Sequence, residues 1–144
     1  MGNVESASYS DYVEQLDGFI YCYGRIKDET QIGGYPTLSF DFKTISFTSD
    51  LQNYLPLPVI GVYGYADWRP HNVLNWSFLW DDSDERYWTH VAHVHSVFSK
   101  RTEWQARAVG CHWWDDNQGN SHQIWGPELE EYAYFKMAPE SSGK

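Results

Sequence analysis

A chain of 144 residues with 8 Trp, 11 Tyr and 7 Phe carries too much apolar ring area to stay disordered, and it is the size of one domain with one core. Its formal charge of -10, from 20 acidic against 10 basic residues with the basic ones scattered, excludes a phosphate-tracking surface for nucleic acid and a patch for anionic membrane. The first residues show no basic start and apolar stretch of a secretory leader, and no apolar run is long enough to span a bilayer, so the expected location is the cytoplasm.

"MGNVES" satisfies the acylation pattern M-G-x-x-x-[ST] through Gly2 and Ser6, but the second membrane signal that stable anchoring needs, such as a polybasic patch, is missing. Ser8 to Leu16 then reads as a short helix near residues 8–17: Ser10 can cap it, Tyr12, Val13 and Leu16 share a face, and Gly18 stops it. Beyond Gly18 the period changes to two. "GFIYCYGRIK", "TLSFDFKTISF", "PVIGVYGYADW", "NVLNWSFLW", "YWTHVAHVHSVFS" and "TEWQARAVGCHWW" are β-branched and aromatic runs bounded by Gly, Pro, Asn and Asp clusters. Asp81 to Glu85 reads as the turn joining the fourth run to the fifth, and Lys100 with Arg101 as the turn joining the fifth to the sixth, which makes a meander. A closing strand is expected from about Glu131 to Met137, and residues 139–144 as a free tail.

The fold these elements predict is all-β: a small antiparallel β-barrel of seven or eight strands, lipocalin-like or cyclase-like in shape, with the short N-terminal helix closing an end and residues 1–138 forming one domain. The G-x-W mark of lipocalins is absent from "DGFIYCYGR". Without an internal repeat, the trefoils, prisms and propellers that bind sugars multivalently are disfavoured. Cys22 and Cys111 sit in apolar runs rather than a C-x-x-C and are expected as two buried free thiols. An exposed strand edge would leave a homodimer open.

Residues of one parity share a strand face, and this locates the polar groups. Leu74, Trp76, Phe78 and Trp80 oppose Asn75 and Ser77; Trp104, Ala106, Ala108 and Gly110 oppose Glu103, Gln105, Arg107, Val109, Cys111 and Trp113. One reading makes the polar side an ordinary solvated face. The other makes it a barrel lumen, because Val91, Val97, Val109, Cys111 and Trp113 interrupt it as the wall of a ligand pocket would.

Within that pocket His93, His95, Glu103 and Arg107 form a candidate catalytic set: a neutral imidazole beside a carboxylate is a base near neutral pH, and Arg107 stabilises a developing oxyanion. Tyr63, Tyr65, Asn75, Trp76, Trp104 and Trp113 would shape a small, mostly apolar substrate. The expected function is thus enclosure and cofactor-free isomerisation or cyclisation of a small hydrophobic molecule. A carbohydrate-binding module using the aromatic, amide-rich loop from Trp113 to Trp125 is the first alternative, although the same residues also suit a hairpin turn capping the barrel. His93-x-His95 followed by Glu103 and Gly110 resembles the first motif of the cupins with a longer gap, which implies a metalloenzyme as the second alternative. No G-x-S-x-G, P-loop or dinucleotide fingerprint occurs.

Overall fold

The computed structural model describes residues 7–138. Gly2 and Ser6 of the acylation pattern and the 139–144 tail lie outside the described residues. The described chain forms nine strands and no helix: β1 (Ala7–Gln15), β2 (Gly18–Asp28), β3 (Thr37–Thr48), β4 (Val59–Pro70), β5 (Ser77–Arg86), β6 (Val91–Ser99), β7 (Trp104–Asp115), β8 (Ser121–Trp125) and β9 (Leu129–Ala133). None of the described residues forms a helix long and apolar enough to cross a membrane.

The strands make two antiparallel sheets, one in the order β1-β2-β3-β6 and the other β5-β4-β7, with β8 and β9 sharing the far edge of β7. The all-β expectation holds, but the sheets lie face to face as a sandwich and do not close into a barrel. A period of two reports only that one face is buried; open and closed sheets give the same pattern. Even-numbered side chains from both sheets meet in one core, including Ile20 and Ile26 of β2, Phe40 and Phe42 of β3, Ile60 and Val62 of β4, Val94 of β6, and Trp104 and Trp114 of β7.

The expected N-terminal helix is β1 instead, paired with β2 from Ala7↔Ile26 to Gln15↔Gly18. Tyr9 and Val13 pack on the core, and a spacing of four fits two strand steps as well as one helical turn. The other members of the expected stripe, Tyr12 and Leu16, stay 40% and 69% exposed. The run from Asn72 to Trp80 also shifts: β5 begins at Ser77, and Asp81 to Glu85 belongs to it rather than to a turn. This acidic stretch is an edge strand, where charge discourages pairing with another chain.

Leu79 is an extra residue of β5 opposite the Ala66–Asp67 step of β4, and this bulge resets the parity of β5. Phe78 therefore faces outward against Tyr65, ring centroids 5.7 Å apart, while Trp80 turns inward toward Phe40 at 6.0 Å. The expected meander does not form either, because β5 and β7 pair with β4 whereas β6 pairs with β3 across the sandwich. Asp84 Oδ2 accepts the amide of His93 at 3.0 Å and so covers part of the β6 edge. The closing strand is displaced toward the N-terminus, ending at Ala133. Cys22 and Cys111 are free and buried, and burial pushes the Cys22 thiol up to about 12, its unreactive form.

At the centre, Gly64 of β4 pairs with Gly110 of β7, leaving a bare patch on the inner face of the second sheet. The Phe42 ring seats there: a Cβ added at Gly64 would lie 2.7 Å from it, and one at Gly110 2.5 Å. Phe42→Ala is expected to destabilise the fold by about 3–5 kcal/mol, because the glycines cannot fill the void; a urea titration measures it, and a loss under about 1 kcal/mol would contradict this seating.

One polar group crosses the same core. His112 is fully buried between Tyr9, whose hydroxyl lies 2.6 Å from Nε2, and Thr44, whose Oγ1 lies 2.9 Å from Nδ1. Thr44 donates its own proton to the Gly61 carbonyl at 2.8 Å, so it accepts from His112 Nδ1–H, and Nε2 accepts the Tyr9 hydroxyl proton. Burial holds His112 below its ordinary 6.5, at about 4, and raises Tyr9 above its ordinary 10, which keeps both neutral. The unfolded chain binds this proton first as pH falls, so stability is full above pH 6.5 and declines toward pH 4 by about 3 kcal/mol from this group. Urea midpoints across that window, with the His112 ring resonance followed by NMR, check the sign: the ring should titrate near 4, and titration near 6.5 would refute its neutral burial.

Candidate functional site

The odd-numbered residues of β4 and β7 point away from the core onto the outer face of an unclosed sheet, so no barrel lumen encloses them; most are half-buried by one another, and Asp67, Gln105 and Cys111 are buried. Register lays this outer face out in rows running from β5 through β4 and β7 to the shared edge. Glu85, Gly61, Trp113 and Gln123 form one row; Ser83, Tyr63, Cys111 and Trp125 form the next. Asp81, Tyr65 and Val109 follow, then Phe78, Asp67, Arg107 and Glu130.

Trp113 lies flat because the residue beneath it is glycine: a Cβ at Gly61 would fall 2.1 Å from the indole Cε2. Its Nε1 donates to Glu85 Oε2 at 3.1 Å, and the other carboxylate oxygen accepts the Tyr87 hydroxyl at 3.2 Å. Tyr63, Cys111, Trp113 and Trp125 line an open groove of about 570 Å³, with Ser83 and Gln123 on its sides. Trp125 is 56% exposed there, an unusual position for so large an apolar ring. Among the described residues neither the Ser83 hydroxyl nor the Gln123 amide has a protein hydrogen-bond partner.

Farther along the same face, Arg107 holds Asp67 Oδ2 through Nη2 at 3.0 Å and Nε at 3.2 Å, while Tyr65 donates to Oδ1 at 2.7 Å. That last bond raises the Tyr65 phenol above its ordinary 10, so it is a weak proton donor at neutral pH. Trp76 covers the ion pair from the loop before β5, with the guanidinium carbons of Arg69 and Arg107 each 4.3 Å from its ring. Tyr65, Asp67, Arg107, Val109 and Glu128 bound a depression of about 250 Å³.

The sequence-predicted residues thus divide. Tyr63 and Trp113 meet in the groove, and Tyr65, Trp76 and Arg107 meet at Asp67. His93 and His95 lie instead on the outer face of the first sheet, where His93 Nε2 bonds Asp41. Glu103 precedes β7 and accepts the Phe135 amide at 3.0 Å, with His71 Nδ1 at 3.9 Å. The four expected catalytic groups are therefore not assembled in one place. Asn75 is exposed in the loop before β5, and Trp104 is fully buried, its Nε1 donating to the Pro36 carbonyl at 2.9 Å. Trp104 is a core residue because its even parity faces inward.

No three His, Cys, Asp or Glu side chains among the described residues converge as metal ligands would. The turn from Asp115 to Ser121 is ordered by its own bonds. Asp116 Oδ1 accepts the amides of Gln118 and Asn120, and Oδ2 meets His122 at 2.8 Å, which holds the Asp116 carboxyl at about 2. Sequence reasoning missed Asp67, Ser83, Glu85 and Gln123. Asp67 shares parity with Tyr63 and Tyr65 and was findable; Ser83 and Glu85 were hidden by reading their strand as a turn. No family model matches the chain, and neither a curated protein nor a solved structure is significantly similar to it.

Gly61→Ala is expected to lift the Trp113 indole from the sheet and break its bond to Glu85 while the fold survives. The Trp113 indole N–H resonance and its solvent exchange rate report this; an unchanged resonance would show that Gly61 is not what keeps the ring flat.

Proposed function

We propose that this chain is a β-sandwich binding module whose ligand lies on the outer face of the second sheet, and that the ligand is a neutral carbohydrate. The observation that carries the reading is the Trp113 indole held flat over Gly61 beside Tyr63 and the exposed Trp125, with the Ser83 hydroxyl and Gln123 amide, unpaired among the described residues, around them. The C–H face of a pyranose is apolar and planar enough to stack on an aromatic ring, while its hydroxyls need donors and acceptors at the rim. Rings fixed before binding lose little entropy on complex formation. The acidic surface, with Asp81 and Glu85 beside the groove, disfavours anionic sugars. Two free thiols suit a reducing compartment and keep the cytoplasmic location as part of this proposal.

A second reading retains cofactor-free acid–base chemistry on a small apolar molecule. One observation favours it: Tyr65, Trp76 and Arg107 of the expected set do converge, on Asp67. The raised Tyr65 phenol and the distance of the histidines on the other sheet weigh against it.

Screening against neutral glycans, followed by calorimetry, tests the first reading. Trp113→Ala and Trp125→Ala are each expected to weaken sugar binding by roughly tenfold or more with the melting temperature little changed, as for a central aromatic anchor. His93→Ala and Asp67→Asn should leave simple sugars bound as before. Binding insensitive to both tryptophans would refute the site.

A further inference from the structure

We propose that the site takes an internal stretch of an extended linear glycan, lying along β7, rather than a chain end or a single sugar; this rests on the carbohydrate reading above. Three depressions follow one another along a single strand. The first, about 400 Å³, lies between Tyr87, Trp113, Asp115 and His122; the second is the groove at Cys111 and Trp125; the third is the depression at Val109, Arg107 and Glu128. Alternate residues of β7 from Asp115 to Arg107 supply a wall or floor to each, and at about 3.4 Å per residue they span about 27 Å. One pyranose ring covers a small part of that length; a chain of several covers it.

The lining changes along this path in the way a chain requires. Aromatic surface comes first, from Tyr87, 64% exposed, across the half-buried Trp113 to the exposed Trp125. Hydrogen-bonding groups with no protein partner among the described residues are spread along it, at Gln123 and Ser83 in the middle and at Glu128 at the far end. Because Ser83, Gln123, Trp125 and the β7 residues from Arg107 to Asp115 stand on hydrogen-bonded strands, the spacing of their contacts is rigid. A rigid, straight row of contacts selects a straight ligand.

The experiment is calorimetry on the full chain with cello-, xylo- and mannan-derived oligosaccharide ladders from one to six units. For the series that binds, affinity is expected to rise roughly tenfold or more beyond the disaccharide, and Glu128→Ala to remove much of that gain while leaving disaccharide affinity unchanged. Affinity already saturated at a mono- or disaccharide would overturn the extended groove and leave the carbohydrate reading standing. No binding by any ladder at millimolar concentration would overturn both. Sedimentation of the ligand-free protein covers the remaining occupant: a dimer dispersed by Trp113→Ala would mean that a second copy of this chain fills the face.

Discussion

The structure depends on how closely the two sheets approach at Phe42. Its ring occupies the space that side chains at Gly64 and Gly110 would fill, and those glycines face each other across β4 and β7. Glycine weakens a strand interior because it orders a freer chain and packs nothing itself, so its pairing here needs a compensating contact. Phe42 supplies that contact, and with it the parity of both central strands is set. Even residues go inward beside the phenyl ring; odd residues go outward into the site.

Close approach also allows a polar link through the core. Tyr9 of β1, His112 of β7 and Thr44 of β3 form a chain in which each proton has one acceptor, ending at the carbonyl of Gly61 on β4. A neutral, fully satisfied chain avoids the desolvation penalty that an ionised or unpaired group would bring. Gly61 thereby has two roles on opposite sides of the sheet: its carbonyl anchors the buried chain, and its bare α-carbon supports the Trp113 indole. Core and site share one residue, so rigidity in one is passed directly to the other.

The strands β2, β3, β4, β6 and β7 were legible in sequence because each buries one continuous face, and burial writes a period of two. The first strand was not, since Tyr9 and Val13 satisfy both periods and Ser10 offers a helix cap that nothing uses. The acidic run of β5 resembled a turn because Asp is rare in strands, yet an edge strand paired on one side accepts it. Connectivity was illegible for a different reason. Short links after β5 and β6 suggest neighbours in one sheet, but the chain crosses to the opposite sheet at each, and periodicity carries no information about which partner a strand meets.

The candidate site was half legible, and the residue that separates the halves is Cys111. With Val109 and Trp113 it interrupts the polar parity of β7, and that interior composition suggested a lumen; in the fold Cys111 is buried between its neighbours Tyr63 and Trp125 on the outer face. Apolar atoms on a solvated face are covered either by a ligand or by their own neighbours. Here the neighbours cover Cys111 but leave Trp125 largely bare, so the apolar character that pointed to an enclosed pocket belongs to an open one. On the proposed reading the polar residues interleaved with it are the rim donors and acceptors, where solvent competes with them until a ligand excludes it. An open, rigid face of this kind is what the proposed reading requires, because contacts fixed by the sheet hold a long molecule without having to close around it.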